Sequence, residues 1–230
     1  MNFVFVDETG DPGKQGSEFF GMALLQVHSD NYKTIGNLFA TYQLLSGMFA
    51  EVKELPQKYI VGLNLVRSIA SFAEVGLIEA SGLYIDKNRY GGRYLTWSDL
   101  EYSIPEEEWP YYLRNYLLRH LLEFHFAQSL ASDDEVDLIL DRILLTEEQR
   151  VNTLSYLNSH TPIPLRQPFT IPYVKHLTIA DSKYIGSLQI VHLLAELMKS
   201  CAKSKVHEEQ SVLIKKFFRI VAFIGHKKPS

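Results

Sequence analysis

Cysteine is almost absent from this sequence: Cys201 is the only one among 230 residues. A single thiol excludes an internal disulfide and is typical of proteins kept in a reducing cytoplasm. Long hydrophobic runs are absent too. The longest late one, residues 220–224, falls far short of the roughly 20 residues that span a bilayer. The chain also does not open with the cationic and apolar segments of a signal peptide. We expect a soluble cytoplasmic protein with no membrane contact.

Positive charge is not in excess either. With 23 basic and 27 acidic residues, the net charge is −4, which excludes a molecule-wide basic field of the kind that attracts nucleic acid. Contact with nucleic acid would need a local basic rim, for which the candidates are Arg89, Arg93, Arg114, Arg119 and His120. The hydrophobic content of 46% supports a substantial core, and residues 1–230 are expected to form a single domain.

The N-terminus joins an apolar strand to a cluster of acidic residues. Large apolar residues at 3–6 run directly into the segment Asp-Glu-Thr-Gly-Asp at 7–11, a pattern typical of a strand buried on both faces. Because side chains alternate along a strand, Asp7 shares the face of Phe5 and Glu8 points the opposite way. A carboxylate there must be paired, hydrogen-bonded or bound to metal, since its desolvation is costly. An acidic turn that only solvates the strand end is the alternative.

Strand-like and helix-like segments alternate along the rest of the chain. A returning strand at 18–25 closes a hairpin, and apolar residues at helical spacing then predict a helical insertion at 30–75. Further strands are predicted at 77–86, 136–141 and 174–180, and further helices at 105–130, from Thr146 onward, at 187–199 and, with an amphipathic pattern, at 206–224. This alternation predicts an α/β fold built on one mixed sheet.

Two later segments carry residues that can join the N-terminal carboxylate. Asp141 closes a compact apolar strand, and neighbouring central strands that each end in Asp bring their carboxylates together. Such charges repel unless a divalent cation lies between them. On the late helix, Gln189, His192 and Glu196 fall on one face. His192 and Glu196 have the spacing of a shared metal or hydrogen bond, although a histidine on an apolar helix is equally well a hydrogen-bonded core residue.

The ordered set of motifs resembles a bacterial family of RNase-H-like proteins known as domain of unknown function 3800. Residues 7–11 match the family's Asp-Glu-Ser-Gly-Asp motif, which follows an apolar strand, and residues 84–87 match its third strand. Residues 138–142 match its middle strand, which ends in Asp. Residues 181–183 and 188–190 match its Asp-Ser-Lys and Leu-Gln-hydrophobic segments. The resemblance covers residues 2 to about 200. It implies an RNase-H-like mixed β-sheet flanked by helices.

The resemblance also implies an activity and roles for individual residues. RNase-H-type sites use clustered carboxylates to hold two divalent ions, here Mg²⁺ or Mn²⁺, for hydrolysis of DNA or RNA. In that arrangement Asp7 bridges the ions and Asp141 binds from the adjacent strand. Lys183 contacts a phosphate or the transition-state charge, and Gln189 positions water or substrate.

One position departs from the family pattern. Where the family has Ala-Asp after the Leu-Gln-hydrophobic triplet, this chain has Val191-His192, so an imidazole replaces a carboxylate. Imidazole suits Mn²⁺ better than Mg²⁺, which prefers oxygen ligands. His192 itself or Glu196 would then complete the metal shell, with Asp181 as a further candidate. The departure keeps a second hypothesis open: a catalytically impaired RNase-H-like module that binds nucleic acid or protein in a bacterial complex. A third is a scaffold in such a complex, with the apolar side of the terminal helix as the face for a protein partner or homodimer; packing of that side on its own domain is the default.

Overall fold

Six strands form one mixed sheet. The computed structural model describes residues 2–46, 59–95, 104–127, 135–142, 145–159, 171–203 and 208–223. The strands are β1 (Asn2–Gly10), β2 (Phe19–His28), β3 (Ile78–Asp86), β4 (Glu135–Asp141), β5 (Tyr173–Ala180) and β6 (Phe218–Ala222).

The order across the sheet is β5-β4-β1-β2-β3-β6. β2 runs antiparallel to both of its neighbours, β1 and β3, whereas β4 and β5 continue the sheet in parallel on the other side of β1. β6 lies parallel to β3 at the far edge. Three consecutive antiparallel strands followed by two parallel ones give the RNase-H-like arrangement, so the predicted fold class is confirmed.

Helices cover both faces of this sheet. They are α1 (Tyr32–Ser46), α2 (Tyr59–Glu74), α3 (Trp109–Phe126), α4 (Glu147–Asn158), α5 (Gly186–Ala202) and α6 (Glu208–Phe217), with short 3₁₀ turns at Ser29–Asn31, Glu106–Glu108 and Ser182–Tyr184. α1 and α2 occupy the segment 30–75 in which helices are predicted, and residues 47–58 between them lie outside the described residues. None of the helices in the described ranges is long and apolar enough to cross a membrane.

Alternate residues of β1 enter two separate hydrophobic cores. Phe5 packs in the core formed with α1, α2, α5 and α6, and Val6 in the core formed with α3 and α4. Burial of each such side chain contributes roughly 1.5–3 kcal/mol. The apolar run at the N-terminus therefore makes β1 a central strand, and its alternation fixes which face each following residue takes.

Helix α5 approaches the sheet unusually closely. A Cβ atom on Gly21 would lie 2.7 Å from Met198 Cε, and one on Gly82 would lie 2.7 Å from Met198 Sδ. Real Cβ atoms do not come that close to other heavy atoms, so the missing side chains of β2 and β3 create the space that Met198 fills. The two glycines therefore make room for Met198 where α5 packs on the sheet.

The predicted terminal helix at 206–224 is only partly correct. α6 ends at Phe217, and the chain continues as β6, whose residues pair with Ala80–Tyr84 of β3. The apolar, β-branched residues Ile220 and Val221 suit a strand, and the edge of β3 offers backbone groups that need partners. A short apolar run is compatible with both a helix and a strand, so the sequence pattern did not distinguish β6 from a continuation of the helix.

The start of α4 agrees with its sequence signal. Thr146 accepts a hydrogen bond from the backbone amide of Gln149, and the Gln149 side chain bonds back to the amide of Thr146. This reciprocal arrangement satisfies two amides that the first helical turn would otherwise leave without partners. The helix begins where the Thr-Glu-Glu-Gln segment predicts.

A buried histidine network ties α3 to the sheet. His125 Nε2 lies 2.7 Å from Gln26 Oε1, and His125 Nδ1 lies 2.9 Å from Ser81 Oγ. A neutral ring that donates from Nε2 and accepts at Nδ1 satisfies both partners. Burial, together with the nearby charge of Arg219, lowers the pKa of His125 to about 3. The ring is therefore neutral in the folded protein at neutral pH.

This network predicts a pH-dependent stability. The unfolded chain binds a proton at His125 below about pH 6.5, which the folded protein does not bind until about pH 3. The stabilisation by the neutral ring is thus complete above pH 6.5 and is lost as the pH falls towards 3. The free energy of unfolding should decrease with falling pH more steeply in wild type than in His125→Gln, by up to about 1.4 kcal/mol per pH unit. Urea titrations across this range measure both slopes, and parallel slopes would contradict the prediction.

Candidate metal centre

The register between β1 and β4 places two carboxylates together. Val6 pairs with Leu140 in the parallel ladder, so the next residues, Asp7 and Asp141, lie side by side on the same face of the sheet. Phe5 precedes Asp7 on that face, which is the face covered by α5. Asp7 is 7% exposed. The sequence predicts this juxtaposition on the expectation that the two strands are central neighbours, which the register shows.

α5 adds an imidazole to the two carboxylates. His192 Nδ1 lies 2.6 Å from Asp7 Oδ2, and one ligand atom from each of Asp7, Asp141 and His192 lies within 4.8 Å of the others. We call these residues the Asp–Asp–His cluster. Two carboxylate oxygens and an imidazole nitrogen are donors that divalent metals accept. The structure thus brings together three of the four predicted metal ligands; their role as ligands stays a prediction.

The cluster is electrostatically costly as it stands. Burial raises the pKa of Asp7; the hydrogen bond and charge of His192 act in the opposite direction, and the charge of Asp141 adds to the increase. A carboxylate in this position is stabilised by a cation, which would oppose both burial and the repulsion from Asp141. Asp7, the carboxylate for which the sequence predicts a partner, is hydrogen-bonded to His192. The net shift of its pKa is nevertheless upward.

A 3₁₀ turn closes the cluster on the side of β5. The backbone amide of Ser182 donates to Asp141 Oδ1 at 2.9 Å, and that of Lys183 donates to Asp181 Oδ1 at 3.0 Å. Gln189 is buried, and its amide Nε2 donates to the carbonyl of Lys183 at 3.4 Å. Gln189 therefore holds the turn, and the side chain of Lys183 is exposed at its surface. Their predicted catalytic roles stay predictions.

Glu196 is engaged one helical turn beyond the cluster. Thr9 Oγ1 donates to Glu196 Oε1 at 2.5 Å, and Lys199 Nζ lies 3.1 Å from the same oxygen. Glu196 is not part of the three-residue group whose ligand atoms converge. Thr9 shares the face of Asp7 on β1, two residues further along the strand. This bond, which sequence analysis missed, fastens α5 to the strand that carries Asp7.

The opposite face of β1 carries an ion pair that sequence analysis also missed. Glu8 accepts two hydrogen bonds from Arg114 of α3, at 2.7 and 3.0 Å. Arg119 and His120, also proposed for a basic rim, both contact Glu123, at 3.2 and 3.0 Å. These three basic side chains are mostly buried and paired with carboxylates, so the prediction that they form an open basic rim is wrong. A sequence shows charges but not which of them neutralise each other.

The bond between Thr9 and Glu196 can be tested by stability. Thr9→Val keeps the shape and removes a buried hydroxyl that donates to a carboxylate, which should cost about 1–2 kcal/mol in the free energy of unfolding. The matched control is Thr178→Val, at an exposed position of β5, where little change is expected. Urea unfolding measures both, and equal effects of the two variants would show that the bond does not stabilise the protein.

Comparison with known proteins finds similarity among solved structures only. No protein-family model matches this sequence, and no curated protein matches it. A crystal structure of Bst-RNase HIII in complex with Mn²⁺ is similar with a TM-score of 0.44 and 15% identity over 89% of this chain; this chain spans only 55% of that protein. The RNase HII of the PCNA:RNase HII complex from Archaeoglobus fulgidus is similar with a TM-score of 0.44 and 8% identity, covering 94% of this chain and 88% of that one. These values say nothing about substrate, metal or partner.

Proposed function

We propose that this protein is a divalent-metal-dependent nuclease that hydrolyses phosphodiester bonds of DNA or RNA, and that it belongs to the family of domain of unknown function 3800. The observation that supports the proposal is the convergence of Asp7, Asp141 and His192 within 4.8 Å at the ends of two central strands. Clustered carboxylates in this position on an RNase-H-like sheet suit metal-assisted phosphoryl chemistry.

The residues present fit a divalent cation. Asp7 and Asp141 offer the oxygen ligands that Mg²⁺ and Mn²⁺ both accept, and the imidazole nitrogen of His192 favours Mn²⁺. The fit also explains why a mostly buried carboxylate is kept beside a second one, an arrangement that raises the pKa of Asp7. A bound cation would supply Lewis-acid activation of water and stabilisation of the charge on the phosphoryl oxygens.

The protein's own residues would orient this chemistry. The amide of Ser182 fixes Asp141 Oδ1, which leaves the other carboxylate oxygen available to a ligand. In the absence of metal, His192 holds Asp7 by their 2.6 Å contact; a cation bound to the same imidazole nitrogen would take the place of that contact. Lys183, exposed on the neighbouring turn, is in a position to pair with a substrate phosphate. Preorganised donors and charges of this kind lower the reorganisation that the reaction requires.

One observation favours the alternative, a module that keeps the fold and binds nucleic acid or protein without cleaving it. The imidazole of His192 already satisfies Asp7 by a hydrogen bond, so Asp7 has a polar partner without any ion. A carboxylate in place of this histidine would leave the cluster dependent on metal. The two hypotheses differ in whether a cation stabilises the protein and supports cleavage.

Metal binding predicts a thermal shift that depends on Asp7. At a hundredfold excess of Mn²⁺ over its dissociation constant, linkage adds about 2.7 kcal/mol, or roughly 5–10 °C in melting temperature for a chain of this size. Asp7→Asn should abolish the shift. Without metal it should be as stable as wild type or slightly more so, because a charge disfavoured by burial is removed. The control is Asp137→Asn, at the other end of β4 and bonded to His176, which should keep the shift. A shift that survives in Asp7→Asn would exclude Asp7 as a ligand.

The identity of residue 192 predicts the metal preference. Wild type should cleave fluorescently labelled DNA or RNA faster with Mn²⁺ than with Mg²⁺, and His192→Asp should raise the Mg²⁺-to-Mn²⁺ rate ratio by roughly tenfold, about 1.4 kcal/mol of differential binding. His176→Asp, at an exposed histidine of β5, should leave the ratio unchanged. If neither wild type nor His192→Asp cleaves with either metal, the binding module is the correct interpretation.

A further inference from the structure

An exposed aromatic residue lies on the turn that bonds to Asp141 of the Asp–Asp–His cluster. Tyr184 ends the 3₁₀ turn Ser182–Tyr184, and 76% of its surface is exposed. Single exposed aromatic residues are normal on protein surfaces, so this one is informative only through its position. The position of this ring is notable because the same turn donates its Ser182 amide to Asp141.

The turn that carries Tyr184 is held in place at several points. The amide of Tyr184 donates to the carbonyl of Asp181 at 3.0 Å, and that of Ile185 donates to the carbonyl of Ser182 at 3.2 Å. The buried Gln189 bonds to the turn from α5. The backbone of Tyr184 is thus fixed two residues from the amide that bonds to Asp141.

A cation accompanies the ring. Lys183 Nζ lies 5.4 Å from the centroid of the Tyr184 ring. An aromatic face together with a positive charge is the combination that single-stranded nucleic acids bind, since the base stacks on the ring and the charge pairs with the backbone phosphate. The pairing of Tyr184 with Lys183, on the turn that bonds to Asp141, suits such a ligand.

We propose that Tyr184 is a stacking platform for an unpaired nucleobase of the substrate, next to the nucleotide whose phosphate meets the Asp–Asp–His cluster. The proposal rests on the proposed nuclease function and names its substrate class: nucleic acid that is single-stranded at the site of contact. Bases inside a duplex have both faces covered by their neighbours, whereas an unpaired base offers a face to the ring. Tyr184 is then a positioning residue, which acts by placing the strand.

The test measures binding apart from cleavage. Fluorescein-labelled 12-nucleotide oligothymidylate and oligouridylate, and a blunt DNA duplex of equal length, are titrated with protein in chelator, so that no metal-dependent reaction contributes. Tyr184→Ala should weaken binding of the single strands by about 5- to 150-fold, the range found for loss of one stacked base. Tyr184→Phe should bind as wild type. A strand with one 2-aminopurine reports stacking directly, because its fluorescence is quenched by wild type and by Tyr184→Phe but not by Tyr184→Ala.

The matched control is Tyr173→Ala. Tyr173 is also exposed, at 56%, and begins β5, so the length of the strand separates it from Tyr184 by roughly 25 Å. Its truncation should leave binding unchanged. Any of three results would overturn the proposal. Tyr184→Ala could bind single strands as tightly as wild type, both Ala variants could lose the same affinity for them, or wild type could bind single strands no more tightly than duplex. If wild type binds single strands through Tyr184 but cleaves none with Mg²⁺ or Mn²⁺, the nuclease proposal fails and the stacking platform stands.

Discussion

The structure depends on one constraint: two carboxylates lie side by side in a largely buried part of the sheet. The parallel register of β1 and β4 makes Asp7 and Asp141 neighbours, and burial raises the pKa of Asp7. Such a pair destabilises the fold unless something positive or hydrogen-bonding meets it. His192, the Ser182 amide and, in the proposed function, a divalent cation are the partners that make the arrangement tolerable.

Those partners lie on α5 and on the turn before it, outside the two strands that carry the carboxylates. α5 must lie close enough to the sheet for an imidazole to reach Asp7, and Gly21 and Gly82 allow that approach by leaving room for Met198. The bond between Thr9 and Glu196 then holds the helix against β1. Residues of three strands thus determine the geometry of one contact, which is why the site belongs to the fold rather than to a loop grafted on it.

Sequence patterns predicted those parts of the protein that depend on local signals. Apolar runs that end in Asp identified β1 and β4, and the fold class followed from the alternation of strands and helices. The strand that follows α6 was missed because a short apolar run does not distinguish helix from strand, and the free edge of β3 decided between them. The pairing of Arg114 with Glu8 could not be read either, since it joins residues 106 apart in the chain. Exposure of Tyr184 is likewise a property of the folded turn.

The two carboxylates and the imidazole belong to different layers of the molecule. Asp7 and Asp141 move with the sheet, because they are neighbours on adjacent strands, whereas His192 moves with α5. A ligand that binds all three side chains therefore acts as a clamp between helix and sheet. Binding of such a ligand and local opening of α5 are therefore coupled in opposite directions. A ligand bound at the site would oppose the opening of that helix, and a change that loosens the helix would weaken the binding of such a ligand.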